Sequence, residues 1–86
     1  MTLRETFEQA VIDSKTLVSR PDNNTLLQLY SLYKQANDGD APDEGPSNPF
    51  DFIAKAKHEA WAKLQGMSAN EAMEQYVRLV EDLKNK

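Results

Sequence analysis

The chain has 86 residues, of which 40% are hydrophobic and 28% charged, and this balance predicts one globular domain spanning residues 1–86. Ten Lys and Arg residues against 14 Asp and Glu residues give a net charge of −4, which argues against a general nucleic-acid-binding surface. The absence of cysteine excludes disulfides, thiolate nucleophiles and cysteine-type zinc sites.

The first two predicted helices are separated by a proline. Apolar side chains at helical spacing predict helix one from about Thr2 to Val18. Pro21 ends this helix, because proline disfavours helical conformation in the residue before it. Helix two is predicted from about Asn23 to Asn37, and it stops in a turn sequence around Gly39.

The last two predicted helices follow a long connection. Residues 38–49 hold two of the three glycines and three of the four prolines, which is typical of a loop. Helix three is predicted from about Phe50 to Leu64. Helix four begins at Ser68, whose hydroxyl and the Glu71 carboxylate are spaced for a reciprocal capping box, and its apolar arc continues to Leu83.

The lengths of the connections predict the order of helix directions. A dozen residues can stretch to roughly 40 Å, whereas a helix of about 15 residues is roughly 22 Å long. The long loop can therefore return along a whole helix, so that helices two and three run parallel. The two short connections predict antiparallel neighbouring pairs. The expected fold is an all-α four-helix bundle with up-down-down-up topology.

Helix two is apolar over an unusually wide arc of roughly 220 degrees. The arc comprises Leu26, Leu27, Leu29, Tyr30, Leu32, Tyr33 and Ala36, with Lys34 at its edge. Two interpretations fit this pattern. Either the helix is central and covered on two sides, or the surplus apolar surface beside a cation receives a ligand.

Helix three places a lysine within its apolar face. Lys57 lies in the middle of the arc that contains Phe50, Ile53 and Trp61. The lysine stem can lie along apolar surface while its ammonium reaches solvent. Alternatively the ammonium binds an anion, because a partly desolvated cation is a good phosphate partner.

No pattern in the chain predicts catalysis or metal binding. His58 is the only histidine, and no nucleophile elbow or glycine-rich phosphate loop is present. We therefore expect no catalytic residues and no metal. No apolar run reaches the roughly 20 residues of a membrane span, and acids near the N-terminus are unlike a secretory signal. We expect a cytoplasmic protein without membrane insertion.

The motifs of helices two to four together resemble a known family. They are Leu29-Tyr30-Ser31-Leu32-Tyr33-Lys34-Gln35-Ala36, then Lys55-Ala56-Lys57 with Ala60-Trp61, then Gly66-Met67-Ser68. Over nearly the whole chain, this order is similar to the acyl-CoA-binding protein family. The resemblance implies a four-helix bundle with up-down-down-up topology, and a non-catalytic intracellular carrier and buffer of long-chain acyl-CoA thioesters.

The resemblance also implies a set of ligand contacts. Lys34 and Lys57 would hold the 3′-phosphate of the CoA head group, with Tyr30 as a hydroxyl donor. Tyr33 and Tyr76 would lie near the adenine. The acyl chain and the pantetheine would be bordered by Lys15, Leu26 and Leu27, in a groove among helices one, two and three. His58 stands where many members of the family carry a tryptophan.

A second function class stays open at this point. The wide apolar face of helix two could bind a partner helix in a protein-interaction module. Such a module would expose a sizeable apolar patch or self-associate. Composition gives no support for an obligate oligomer, so we expect a monomer whose partner is a small-molecule ligand, with no cofactor.

Overall fold

The computed structural model describes residues 1–85, and four α-helices form its regular structure. They are α1 (Leu3–Ser14), α2 (Asn23–Asp38), α3 (Phe52–Ala62) and α4 (Ala69–Lys84). Residues 1–85 contain no β-strand. The predicted all-α fold class is confirmed, because every predicted helix is present.

Side-chain caps set the starts of the helices. The Thr2 hydroxyl accepts from the Glu5 backbone N–H at 3.1 Å, and the Thr2 N–H donates to Glu5 Oε1 at 3.0 Å, so α1 has a complete capping box. At α4 the Ser68 hydroxyl accepts from the Glu71 N–H at 3.1 Å, while the Glu71 carboxylate accepts from Gln75. Of the two hydrogen bonds in the capping box predicted at α4, the structure therefore shows the one that the Ser68 hydroxyl accepts.

Helix α1 is shorter than predicted. Its last residue is Ser14, and Val18 is fully exposed. The Ser14 hydroxyl donates to the Val11 carbonyl at 2.7 Å, and the Thr16 hydroxyl donates to the Asp13 carbonyl. These side chains compete with backbone N–H groups for the carbonyls of the last turn. The predicted extension to Val18 is wrong for this reason.

The packed helix pairs are α1 with α4, α2 with α4, and α2 with α3. Within residues 1–85, α1 and α2 have no Cα atoms within 8 Å of each other, and the same holds for α3 and α4. Side chains nevertheless join α1 and α2, because Arg4 donates to Asn37 Oδ1 at 2.9 Å and the Phe7 and Tyr33 rings stack. The start of α1 therefore lies beside the end of α2, as expected for antiparallel neighbours, whereas α3 and α4 do not pack closely on each other. Because α1 ends early, residues 15–22 form a connection that can stretch to roughly 26 Å, which lets α1 cross to α4.

The directions of the helices follow from their side-chain contacts. Lys57 meets Tyr30, and Trp61 meets Lys34 one turn later on both helices, so α2 and α3 run parallel. In α4, Tyr76 contacts Phe7 of α1, and further along both helices Lys84 contacts Asp13, so α1 and α4 also run parallel. Near the start of α4 the Met67 carbonyl meets Gln35, close to the end of α2. The result is the predicted up-down-down-up order.

The core forms where α4 packs against α1 and α2. Its buried apolar members are Phe7, Ala10, Leu29, Leu32, Ala36, Ala72, Met73, Tyr76 and Val80. Helix α3 contributes no buried residue, so it lies outside this core against α2. The sequence pattern favours Trp61 as the largest core residue, and this is wrong, because Trp61 is half-buried. Helix α2 is covered on two sides, by α3 and α4, as the first interpretation of its wide apolar arc requires.

A buried amide joins the end of α2 to the turn before α4. Gln35 is 1% exposed, and its Nε2 donates to Asp40 Oδ1 and to the Met67 carbonyl, both at 2.9 Å. The Asp40 carboxylate also accepts from the Gly66 N–H at 2.9 Å. Hydrogen bonds from Gly66 and then Gln35 lower the pKa of Asp40. Gln35 Oε1 is buried and has no hydrogen-bond partner.

A second hydrogen bond fastens the end of α3 to the loop that follows α2. The indole N–H of Trp61 donates to the Gly39 carbonyl at 2.8 Å. Gly39 has a φ of +78°, a conformation that favours glycine. The carboxyl ends of the parallel helices α2 and α3 are therefore held together.

Candidate functional site

A groove of about 650 Å³ lies between the amino-terminal halves of α2 and α3. Its lining comprises Arg20, Asn23, Leu26, Leu27, Tyr30, Phe52, Ile53, Ala56 and Lys57. Two cations and no carboxylate belong to this set, although the chain as a whole is acidic. Phe52 and Ile53 are each 72% exposed, so the apolar wall of the groove faces solvent.

Two lysines stand over aromatic rings at the α2–α3 interface. The Lys57 Nζ atom lies 5.3 Å from the centroid of the Tyr30 ring. The Lys34 Nζ atom lies 5.0 Å from the centroid of the Trp61 ring. Both distances are within the range of cation–π attraction. Since Tyr30 and Lys34 are one turn apart on α2, and Lys57 and Trp61 are one turn apart on α3, both ammonium groups lie along the same interface.

The two lysines differ in their acidic partners. Lys34 Nζ forms a salt bridge of 2.5 Å with Asp38 Oδ2, one turn further along α2. The hydrogen bond that the Lys34 ammonium donates to Asp38 is the largest cause of the raised pKa of Lys34, and partial burial opposes it. No salt bridge involves Lys57 within the part of the chain that the structure describes. Of these two lysines, Lys57 is therefore the one whose ammonium group is available to an added anion.

A smaller cavity of about 290 Å³ extends the groove toward the carboxyl end of α3. It shares Tyr30 and Lys57 with the larger groove and adds His58, Trp61 and residues 44–46 of the long loop. His58 thus lies between α3 and this loop.

Tyr33 and Tyr76 lie on the α1 side of α2, away from the groove lining. Both flank the buried Phe7 ring, with centroids 6.1 Å and 5.1 Å from it. The Tyr76 hydroxyl donates to Ser14 Oγ at 3.1 Å, and burial raises the pKa of Tyr76. Tyr33 is 42% exposed.

The predicted site residues therefore divide into two groups. Leu27, Tyr30 and Lys57 line the groove together, and Lys34 lies one turn beyond Tyr30. Lys15, Tyr33 and Tyr76 are not part of the lining. Lys15 is the C-cap residue of α1 and is exposed. The roles that the family pattern assigns to this second group stay predictions.

Three features of the site were not predicted from the sequence. Phe52 and Ile53 form an exposed wall, although helical periodicity places Ile53 on the inner face of α3. Trp61 lies at the site and not in the core. Asp38 is the partner of Lys34, and the spacing of four residues was the available signal for this pair.

Comparison with known proteins assigns the chain to a family. A family model described as "Acyl CoA binding protein" matches residues 4–80. The chain belongs to the acyl-CoA-binding protein family.

Relatives within the family cover nearly the whole chain. An acyl-CoA-binding protein homolog from Manduca sexta is 42% identical over 83 residues, which are 96% of this chain and 92% of that protein. The acyl-CoA-binding protein of Dictyostelium discoideum is 43% identical over 81 residues, covering 94% and 95%. Among solved structures, the crystal structure of Oryza sativa Acyl-CoA-Binding Protein 2 superposes with a TM-score of 0.88 at 36% identity, covering 98% of this chain and 92% of that one.

The structure bears on two other kinds of site. Within residues 1–85, no group of three or more His, Cys, Asp or Glu side chains is arranged to hold a metal ion. None of the helices in the same range is long and apolar enough to cross a membrane.

Proposed function

We propose that this chain binds long-chain acyl-CoA thioesters in the α2–α3 groove and carries them without catalysing a reaction on them. The observation that supports this most directly is the composition of the groove, which combines exposed apolar walls with cations in a member of the acyl-CoA-binding protein family. An acyl-CoA has the same two parts, a hydrocarbon tail and a polyanionic head.

The polarity of the groove indicates how the ligand would lie. Apolar walls from Leu26, Leu27 and Phe52 occupy the amino-terminal ends of the parallel helices. The ammonium groups of Lys57 and Lys34 follow toward the carboxyl ends. We therefore place the acyl chain at the first end and the phosphorylated nucleotide at the second.

Burial of the tail supplies affinity, and the head group supplies selectivity. Each methylene removed from water contributes about 0.8 kcal/mol, so a dozen methylenes give about 10 kcal/mol before the costs of ordering and association. Charge-assisted hydrogen bonds from Lys34 and Lys57 to phosphate are stronger than neutral ones. A free fatty acid lacks the phosphates and should bind more weakly.

The remaining ligand contacts are proposed from the family pattern. Tyr30 donates its hydroxyl near the phosphate, and the half-exposed Tyr33 lies near the adenine. Lys15 and Tyr76 complete the proposed set, although neither lines the groove. We also propose that the protein acts as a monomer in the cytoplasm, with acyl-CoA as its ligand and with no catalytic residue, metal or further cofactor.

Calorimetric titration with palmitoyl-CoA tests the proposal. Palmitate and free CoA, titrated under the same conditions, are the controls for the tail and the head group. We expect palmitoyl-CoA to bind much more tightly than either control. An absence of binding heat with palmitoyl-CoA, or equal affinity for palmitate, would refute the proposed function.

Replacement of one lysine tests the assignment of the head-group end. We expect Lys57→Ala to weaken palmitoyl-CoA binding by at least about 1 kcal/mol, because a charge-assisted bond is lost. The matched control is Lys55→Ala, since Lys55 is exposed on the same helix and outside the lining of the 650 Å³ groove. Equal affinities for the two variants would contradict the assignment of Lys57.

The alternative protein-interaction module has no comparable support. Its proposed surface, the apolar face of α2, is packed against α3 and α4. Native mass spectrometry of protein purified from cells separates the two functions, because an acyl-CoA carrier retains a small ligand and an interaction module retains a protein.

A further inference from the structure

Asp38 occupies an unfavourable position for a helix-stabilising acid. It is the last residue of α2, where the partial negative charge of the helix end disfavours a carboxylate. Its partner Lys34 precedes it by four residues, which is the weaker of the two orientations for such a pair. The Asp38 side chain is also 49% exposed, so solvent screens the interaction. Helix stability alone therefore gives little reason for a carboxylate here.

The position of Asp38 has a direct effect on the proposed head-group site. Its carboxylate lies 2.5 Å from the Lys34 ammonium, where the ligand phosphate would bind. The Lys34 ammonium has three N–H donors, so an incoming phosphate either displaces this carboxylate or shares the ammonium with it, and in both cases it binds beside a negative charge that remains. Lys57, the other proposed phosphate partner, has no such competitor among the salt bridges of residues 1–85.

We propose that Asp38 is an affinity-limiting residue, an internal anion that competes with the ligand phosphate for Lys34. This inference rests on the proposed function, because it takes Lys34 as a phosphate partner. The competition weakens binding through the head group and leaves tail burial unchanged. A carrier benefits from this arrangement, since the ligand must also be released.

The expected size of the effect follows from Coulomb's law. A carboxylate within about 6 Å of a phosphate dianion in a largely aqueous environment reduces affinity by about three- to tenfold. Replacing Asp38 by Asn keeps the size of the side chain, removes the charge and frees the ammonium. The Asp38→Asn variant should therefore bind the ligand about three- to tenfold more tightly.

The experiment compares two charge-removing variants and two ligands by calorimetry. Asp82→Asn is the matched control, because Asp82 is an exposed aspartate on α4, which does not pack on α3. Palmitoyl-CoA carries the 3′-phosphate, and palmitoyl-3′-dephospho-CoA lacks it. We expect Asp38→Asn to tighten binding of the first ligand and to leave the second within about twofold of wild type. Asp82→Asn should change neither by more than about twofold.

Three outcomes would overturn the inference. They are unchanged or weaker binding of palmitoyl-CoA by Asp38→Asn, equal tightening for both ligands, and equal tightening by Asp82→Asn. Urea denaturation of both variants verifies that they are folded. If wild-type protein fails to bind palmitoyl-CoA, the proposed function itself is wrong. If wild-type protein binds and Asp38→Asn binds identically, only the role of Asp38 is refuted.

Discussion

The buried amide of Gln35 allows a sharp test of the contacts that hold the groove together. We consider Gln35→Glu, which keeps the shape of the side chain and replaces its donor group by an acceptor. In the wild type, Nε2 donates to Asp40 and to the Met67 carbonyl. In the variant an ionised carboxylate would face two acceptors, one of them negatively charged, at a position that is 1% exposed.

The destabilisation has two sources. The two lost hydrogen bonds contribute about 0.5–1.5 kcal/mol each. Burial beside Asp40 also raises the pKa of the new carboxyl, and a rise of about two pH units corresponds to about 3 kcal/mol. Together the two sources should lower the free energy of unfolding at pH 7 by about 4–6 kcal/mol, which lowers the Tm by roughly 20 °C or more in a domain of this size.

The pH dependence distinguishes this explanation from a simple packing defect. A carboxyl whose pKa is raised by folding favours the folded state when it is protonated, and this contribution is lost as the pH rises through the folded-state pKa. The variant should therefore recover about 1–2 kcal/mol between pH 7 and pH 5. The wild type should change little in that window, because the lowered pKa of Asp40 makes its contribution disappear only in more acidic solution.

Urea denaturation followed by far-ultraviolet circular dichroism at pH 5 and pH 7 measures both quantities. The matched control is Gln28→Glu, the same chemical change at an exposed position of the same helix. We expect the control to unfold within about 0.5 kcal/mol of wild type at both pH values. A Gln35→Glu variant as stable as the control at pH 7, or one that loses stability on acidification to pH 5, would refute the reasoning.

Two further substitutions test other contacts. Trp61→Phe removes the indole hydrogen bond to the Gly39 carbonyl and should lower the free energy of unfolding by about 1 kcal/mol in urea denaturation. A Trp61→Phe variant as stable as the wild type would contradict this prediction and would show that water replaces the bond. Tyr76→Phe removes the hydroxyl bonded to Ser14 and should cost about 1 kcal/mol at pH 7. Because burial raises the pKa of Tyr76, its contribution is present below the ordinary tyrosine pKa and is lost as the pH rises through the folded-state value. The stability difference should therefore narrow above pH 10, and a constant difference up to pH 11 would contradict this assignment.

Helical periodicity and loop length were sufficient to predict the architecture. Apolar spacing gave four helices, and the length of the connection after α2 gave the parallel α2–α3 pair. The end of α1 was not predictable from periodicity, because the Ser14 and Thr16 hydroxyls end the helix through local hydrogen bonds while the apolar pattern continues to Val18. Periodicity describes which face of a helix is apolar, whereas its end depends on individual donors and acceptors.

The same distinction explains the errors in packing and in the site. The sequence places Ile53 and Trp61 on an apolar face, yet it does not specify which helix covers that face. In the structure α4 packs between α1 and α2, and α3 is left on the outside, so Ile53 is exposed and Trp61 meets Lys34. The position of Lys57 over an aromatic ring could likewise not be predicted, because the sequence left two orientations of the lysine side chain open.

The fastening of α2 to α3 at one end affects what the groove can accept. The bonds made by Trp61 and by Gln35 lie at the carboxyl ends of these helices, whereas the exposed Phe52 and Ile53 stand at the opposite ends. Small separations of the helices should therefore be largest at the hydrocarbon end and smallest beside the nucleotide. Such uneven compliance would let one binding site admit saturated, unsaturated or branched tails while its geometry toward the phosphates stays the same.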